Sequence, residues 1–248
     1  MNEEKHWNHI APTYNAEIFD VFHSDKKRLL NKYIARYGSP EHEAIDFGCG
    51  NGKAFSLLAP RFKKVMGLDI SQKLLNQAKL LPYDNTSLKQ ADLTKNIHLT
   101  KVDFVFCCNV AILGEVKGNV AMIKNIGKVL KPGGHALVVI PSLESMMFSY
   151  WRLIDWYKKE NVKPGEIDAS EYAGFSGKKV DILQGLVSIN GHRTKHYTQQ
   201  EIEVVFDRCG LTVSKIEKIE YDWNSEFARA PKWMKGPYPW DWLVVCGR

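Results

Sequence analysis

Asp46 and the glycines after it carry the clearest chemical content in this 248-residue chain. The run Ala44-Ile45-Asp46-Phe47-Gly48-Cys49-Gly50-Asn51-Gly52 is an apolar stretch, three glycines at alternate positions, and then a helical pattern from Lys53. It reads as a buried strand, a tight turn and a helix start. Glycine permits the sharp turn and leaves no Cβ between backbone and ligand. A dinucleotide site is one use of such a turn, but its usual spacing is G-x-G-x-x-G, with the pyrophosphate on the helix N-terminus. Here D-x-G-x-G-x-G sets a carboxylate beside the turn, which repels a pyrophosphate and suits a ligand with a cationic amine. A second acid, Asp69, ends the next apolar run, seventeen residues past Gly52. A carboxylate there can accept bonds from both hydroxyls of a ribose. The alternative role is capping the helix that opens at Ser71.

The elements that must position these groups alternate. Strands are expected over 44–47, 64–69, 87–90, 102–108 and 136–140, with helices over 53–59, from Ser71 through Ala78, and over 119–130. Near-continuous apolar strands separated by helices mean a parallel sheet covered on both faces. Before them, apolar residues at helical spacing between Ile18 and Ile34 form two helical segments split near Ser24-Asp25, which Gly38-Ser39-Pro40 stops. After them the rhythm breaks. Ser142 caps a helix rich in Met, Tyr and Trp, Lys163-Pro164-Gly165 ends it, and Ile182–Ile189, Asn190-Gly191 and His192–Tyr197 read as a hairpin. Thr198-Gln199-Gln200-Glu201 has the form of a capping box, and strands over 211–219 and 242–246 follow. The expected architecture is α/β in a single domain, 1–248. Residues 1–40 form an arm and lid helices, 41–141 a ligand-binding core, 142–196 a cap insertion, and 197–248 a C-terminal helix with the last two strands.

Composition sets the bounds. The chain is 44% hydrophobic and 25% charged, within the ordinary globular range. No apolar run is long enough to span a membrane, and residues 1–20 lack the apolar core of a signal peptide, so no membrane association is expected. Five cysteines show neither a disulfide framework nor metal-ligand spacing, so no metal and a reducing cytoplasmic location are the expectation. The net charge of +6 invites nucleic acid. Its excess lies in residues 60–135, on the helices and connections of the core, while the segments expected to hold substrate are balanced. A solvated lysine-rich surface is the simpler account.

Asp46-Phe47-Gly48-Cys49-Gly50-Asn51-Gly52 resembles the first motif of the class I S-adenosylmethionine-dependent methyltransferases. Leu130-Lys131-Pro132-Gly133-Gly134 matches that family's turn before the fifth strand, and Trp7 through Tyr14 resembles the W-x-x-x-A-x-x-Y opening of its small-molecule members. The match is specific over 44–140 and looser over 197–248. It implies a doubly wound, seven-stranded, mainly parallel Rossmann-like sheet whose last strand is antiparallel, with a substrate cap. It implies S-adenosyl-L-methionine as cofactor and S-adenosyl-L-homocysteine as product. Carried residue by residue, it places Asp46, Gly48, Cys49 and Gly50 at the cofactor, with Tyr14 reaching the methionine end from an arm folded over it. Asp69 takes the ribose, and Ile70 lies beneath the adenine. Asp92 binds the adenine amino group, the Leu93 backbone N–H meets a ring nitrogen, and Asn109 lies beside the methionine moiety and the methyl group.

The chemistry implied is an in-line displacement, in which the protein mainly aligns the partners and excludes water. A general base is needed only for a protonated nucleophile. Candidates are His9, His192, His196 and Tyr14, with His192, Thr194 and His196 expected on one face of the hairpin. His135, at the start of the fifth strand, reads as structural. Trp151, Trp156, Tyr157, Tyr172 and Phe175 line an apolar pocket, hold a quaternised amine, or simply pack the cap on the core. The N/D-P-P-Y signature of many nucleic-acid and protein methyltransferases is absent; Asn109-Val110-Ala111-Ile112 stands there. The expectation is methyl transfer to O or N of a small molecule, by a monomer or homodimer. The rivals are an RNA or protein methyltransferase, a non-catalytic S-adenosylmethionine-binding protein, and a nicotinamide dehydrogenase, which the glycine spacing and Asp46 disfavour.

Overall fold

The computed structural model describes residues 3–175, 180–189 and 191–248. The chain opens with α1 (Glu3–Ile10), α2 (Tyr14–Glu17), α3 (Val21–Ser24) and α4 (Leu29–Tyr37). Asp20 caps α3 by accepting from His23 N, and buried Asp25 accepts from Leu30 N at 2.8 Å to fasten the start of α4. The core then alternates β1 (Ser39–Phe47), α5 (Phe55–Leu58), β2 (Phe62–Asp69), α6 (Gln72–Ala78), β3 (Thr86–Gln90), β4 (Val102–Cys108), α7 (Val116–Val129) and β5 (Leu130–Pro141). The predicted helix over 53–59 is a single turn, because tight turns fill the stretch after Gly52 and Pro60 follows. The Lys131–Gly134 turn lies within β5, which begins at Leu130 and shifts register against β4 before His135.

The cap carries α8 (Leu143–Lys159), whose Ser142 cap accepts from Ser145 N at 3.0 Å, and the hairpin of β6 (Leu186–Ile189) and β7 (His192–Lys195). The run over 182–189 divides into a 3-10 turn at Ile182–Gln184 and then β6. Asn190 of the predicted hairpin turn lies outside the described residues. Thr198 caps α9 (Gln199–Arg208) through Glu201 N, but the Glu201 carboxylate pairs with buried Lys195 at 2.6 Å, tying the hairpin to α9. The chain finishes with β8 (Thr212–Glu220) and β9 (Trp240–Gly247). No described helix is long and apolar enough to cross a membrane.

The seven-stranded sheet runs β3-β2-β1-β4-β5-β9-β8, parallel except for antiparallel β9 between β5 and β8. Cores fill both faces: Cys107 lies in one and Cys108 packs against the other, as adjacent strand residues must. Two features position the site. Phe47 sits opposite both Leu68 and Cys107, so the residues after β1, β2 and β4 emerge side by side. Antiparallel β9 pairs Asp241 with Pro141, bringing its first residues to the carboxyl end of β5. His135, stacked on Tyr37 at 4.2 Å, lies at the opposite end. Leu137, fully buried in β5, bears on this whole arrangement. Leu137→Ala is expected to cost about 2–5 kcal/mol of stability, read as a lowered urea midpoint with an unchanged slope.

Candidate functional site

The turn after β1 is built on backbone that only glycine adopts without strain. Gly48, Gly50 and Gly52 have φ of +78°, +53° and +85°. Gly48 N and Cys49 N both donate to Leu68 O, at 2.7 and 2.9 Å, so the turn is stitched to the end of β2. Its surface is closely covered. A Cβ on Gly50 would lie 2.6 Å from the Tyr14 hydroxyl, and one on Gly48 would lie 2.3 Å from Val110.

Two carboxylates lie beneath this turn, with no salt bridge to either among the described residues. Asp46 is 2% exposed, its Oδ2 has no partner, and burial and then the neighbouring Asp69 push its pKa up to about 8. Asp69 accepts from Gly50 N through Oδ2 and from Ser71 N through Oδ1, both at 2.8 Å. Burial still leaves its pKa raised, although these N–H groups act to lower it. Asp69 thus takes the helix-start role that the sequence offered for it. It fastens the glycine turn to the start of α6, and each oxygen keeps a further acceptor position. Lys53 is committed elsewhere, paired with Asp20 at 2.9 Å. Burial and then Asp69 hold the Tyr14 phenol well above its ordinary value, so it stays protonated.

The N-terminal arm closes over this end of the sheet. Asn8 Oδ1 accepts from Ser71 Oγ at 2.8 Å and Lys73 N at 3.2 Å, and Gln77 donates to Ala11 O at 2.9 Å. Gln90 Nε2 donates to Ile70 O and to Glu4, at 3.0 and 3.1 Å, with Ile70 half-buried between strand and arm. After β3, Asp92 Oδ1 accepts from Thr94 N and Thr94 Oγ1, a local turn that leaves Oδ2 without a bond. Leu93 is buried, and its carbonyl accepts from Asn125. After β4, Asn109 takes a left-handed φ of +54°. Its N donates to Val139 O at 2.9 Å, its Nδ2 donates to Asp241 Oδ2 at 3.2 Å, and its Oδ1 has no partner. The structure therefore brings Tyr14, Asp46, Gly48, Cys49, Gly50 and Asp69 together around one turn. Ile70, Asp92, Leu93 and Asn109 follow on the adjoining strand ends.

Beyond Asn109 a cavity of about 280 Å³ opens between α8, the hairpin and the start of β9. Asp241, Tyr221, Glu226, Tyr150 and His196 line it. Asp241 accepts from Asn109 and from the Tyr221 hydroxyl, the latter at 2.9 Å, and burial raises its pKa. Of the three predicted histidines only His196 lines this cavity. It is buried and neutral, its pKa lowered to about 4 by burial, and its Nδ1 has no partner. His9 is exposed, and exposed His192 rests against the His6 ring, 5.2 Å between centroids. His196 lies one residue past β7, its N bonded to Gly185 O in continuation of the hairpin register; it is buried, while Thr194 is half-buried and His192 exposed.

Among the described side chains, the aromatic residues at the cavity differ from those picked from the sequence. Trp151 is 58% exposed and Trp156 packs on Phe227, while Tyr150, Tyr221, Phe227 and Trp240 line the wall. The Tyr172 side chain lies outside what the structure describes. Tyr221, Glu226, Trp240 and Asp241 had no motif to announce them. The one available signal was an acid set between Trp240 and Trp242 at the start of an apolar run.

Residues 44–134 match a family model described as a methyltransferase domain. Trans-aconitate 2-methyltransferase of Acidovorax ebreus is 30% identical over 132 residues, 52% of this chain and 50% of that protein. Ubiquinone biosynthesis O-methyltransferase of Marinobacter nauticus is 28% identical over 128 residues, 48% of this chain and 52% of that protein. The chain thus spans about half the length of the curated relatives it matches. A solved structure titled DhpI-SAM-HEP complex aligns with a TM-score of 0.66 at 14% identity, covering 99% of this chain and 96% of that one.

The state of Asp46 gives a test independent of any ligand. An unfolded aspartate titrates near pH ~4, while the folded group does so at about 8. Between the two the native state holds a proton that the unfolded chain has lost, so Asp46 makes stability fall as pH rises through this window and adds no slope above it. Asp46→Asn removes that slope. Its urea midpoint is expected to gain on the native protein's steadily across the window, and parallel pH curves would show that Asp46 is not buried as described.

Proposed function

We propose that the chain is a class I S-adenosylmethionine-dependent methyltransferase that methylates O or N of a small-molecule acceptor, a reading supported by the methyltransferase-domain match over residues 44–134 and by its methyltransferase relatives. The observation that carries this reading is the pair of buried carboxylates set under a glycine turn and linked through Asn109 to a separate cavity. Such a turn and such carboxylates fit S-adenosylmethionine. Asp46 answers its ammonium, the glycines allow close backbone approach, and Asp69 retains acceptor positions for the ribose hydroxyls. When bound, it supplies a methyl group already activated on a sulfonium and leaves as S-adenosylhomocysteine.

The chain's own residues then do the remaining work. Tyr14, on the arm, covers the turn and excludes water from the methionine end. Ile70 offers an apolar surface to the adenine, Asp92 an acceptor for its amino group, and the Leu93 N–H a donor for a ring nitrogen. Asn109, fixed by Val139 O and Asp241, stands between cofactor and acceptor. The cavity aligns the acceptor, so the gain is chiefly one of orientation. His196, held neutral, and Asp241, raised by burial, are the groups available to take an acceptor proton. The relatives' names, a trans-aconitate and a ubiquinone-biosynthesis methyltransferase, support a small-molecule acceptor.

The test is calorimetric titration with S-adenosylhomocysteine, with NADH and NADPH as controls. Saturable binding of S-adenosylhomocysteine alone is expected, and preference for a nicotinamide would overturn the assignment. Radiolabelled S-adenosylmethionine with an acceptor panel that includes trans-aconitate then separates a transferase from a binding protein. Asp69→Asn is expected to weaken S-adenosylhomocysteine binding by about 1–3 kcal/mol. Unchanged affinity in a folded variant would remove Asp69 from the site.

A further inference from the structure

Resting on that reading, we propose that the acceptor is a small hydroxylated amine, its ammonium held against Asp241 and Glu226 and its oxygen answering the Trp240 indole N–H. The chemistry of the cavity wall points this way. Three carboxylates line it, from Glu171, Glu226 and Asp241, and no lysine or arginine does among the described residues. Glu226 is exposed as a residue, at the rim, yet its surroundings desolvate the carboxyl. Asp241 sits deeper. Both of its hydrogen bonds, from Asn109 and Tyr221, fall on Oδ2, which leaves Oδ1 for a ligand.

Two cations on neighbouring elements have partners of their own. Arg152 pairs with Asp155 at 3.1 Å and lies over the Trp223 and Trp233 rings, and Lys218 is exposed and lies over the Trp240 ring at 3.6 Å. Among the described lining residues, a carboxylate or phosphate acceptor would meet three carboxylates and no cation.

Unsatisfied polar atoms supply a second, independent observation. Trp240 is 9% exposed and its Nε1 has no partner; His196 is 8% exposed and its Nδ1 has none. Both residues line the cavity. Buried polar groups are ordinarily bonded, so orphans at a cavity wall mark where a ligand completes the set. An indole N–H can only donate, so it calls for an acceptor atom such as a hydroxyl oxygen. The aromatic rings of Tyr150, Phe227 and Trp240 supply an apolar body for the compound and faces suited to a cation.

Three phenols of matched shape test this: tyramine, 4-ethylphenol and 3-(4-hydroxyphenyl)propanoate, titrated by calorimetry with and without saturating S-adenosylhomocysteine. Tyramine is expected to bind at least about tenfold more tightly than 4-ethylphenol, with the propanoate weakest. Glu226→Gln, a change at the rim, is expected to reduce tyramine affinity about five- to tenfold and leave S-adenosylhomocysteine affinity unchanged. If S-adenosylhomocysteine binds but tyramine does not exceed its neutral match, or the propanoate equals it, the amine assignment is wrong while the cofactor assignment stands. If S-adenosylhomocysteine itself fails to bind, the underlying reading falls and this inference with it.

Discussion

The carboxylate of Asp69 is the junction on which the rest of the site depends. Its two oxygens hold Gly50 N and Ser71 N, and so lock the glycine turn to the start of α6. Ser71 in turn holds Asn8, so the arm that covers the turn is fastened through the same few atoms. The arrangement is not stable by itself. Burial disfavours the ionised form of Asp69, and Asp46 close by makes the local charge harder to tolerate. The parallel sheet supplies the compensation. Strands packed on both faces, with side chains such as Phe47, Phe106 and Val138 fully buried, keep two desolvated acids in place.

The second half of the site is joined to the first by one side chain. Asn109 reaches Asp241 across the sheet's carboxyl ends, and Asp241 reaches Tyr221. The left-handed backbone of Asn109, tolerated by asparagine more readily than by most residues, sets that side chain at the boundary. The electrostatic character of the two compartments is alike. In each, acids are raised by burial rather than lowered by ion pairs.

How much of this was legible depended on whether a feature is encoded locally. The turn at Gly48, Gly50 and Gly52 could be read because backbone geometry dictates residue type at fixed spacing. Asp69 and Ser71 could be read because strand ends and helix caps adjoin. The caps at Ser142 and Thr198 followed for the same reason, although Glu201 spends its carboxylate on Lys195 instead of closing the predicted box. The cavity beyond Asn109 was not legible. Glu226, Trp240 and Asp241 meet His196 and Tyr150 only through tertiary placement, and no periodicity distinguishes them. Alternation along His192 to His196 could not reveal their difference in burial: His192 is exposed, and His196, one residue past β7, is buried at the cavity. Trp151 and Trp156 belong to the same α8 sequence as Tyr150, and helical position alone set Tyr150 toward the cavity.

The antiparallel insertion of β9 has a consequence for the order in which the molecule becomes competent. β9 pairs with β5, about a hundred residues earlier in the chain, and with β8 on its other side. Contacts of such sequence separation close late, because their loop entropy must be met before they yield any stability. Asp241 and Trp240 arrive with that strand, whereas the glycine turn, Asp46 and Asp69 belong to segments that can condense among neighbours. The second cavity therefore depends on pairing of longer sequence separation than the β1–β2 pairing under the glycine turn.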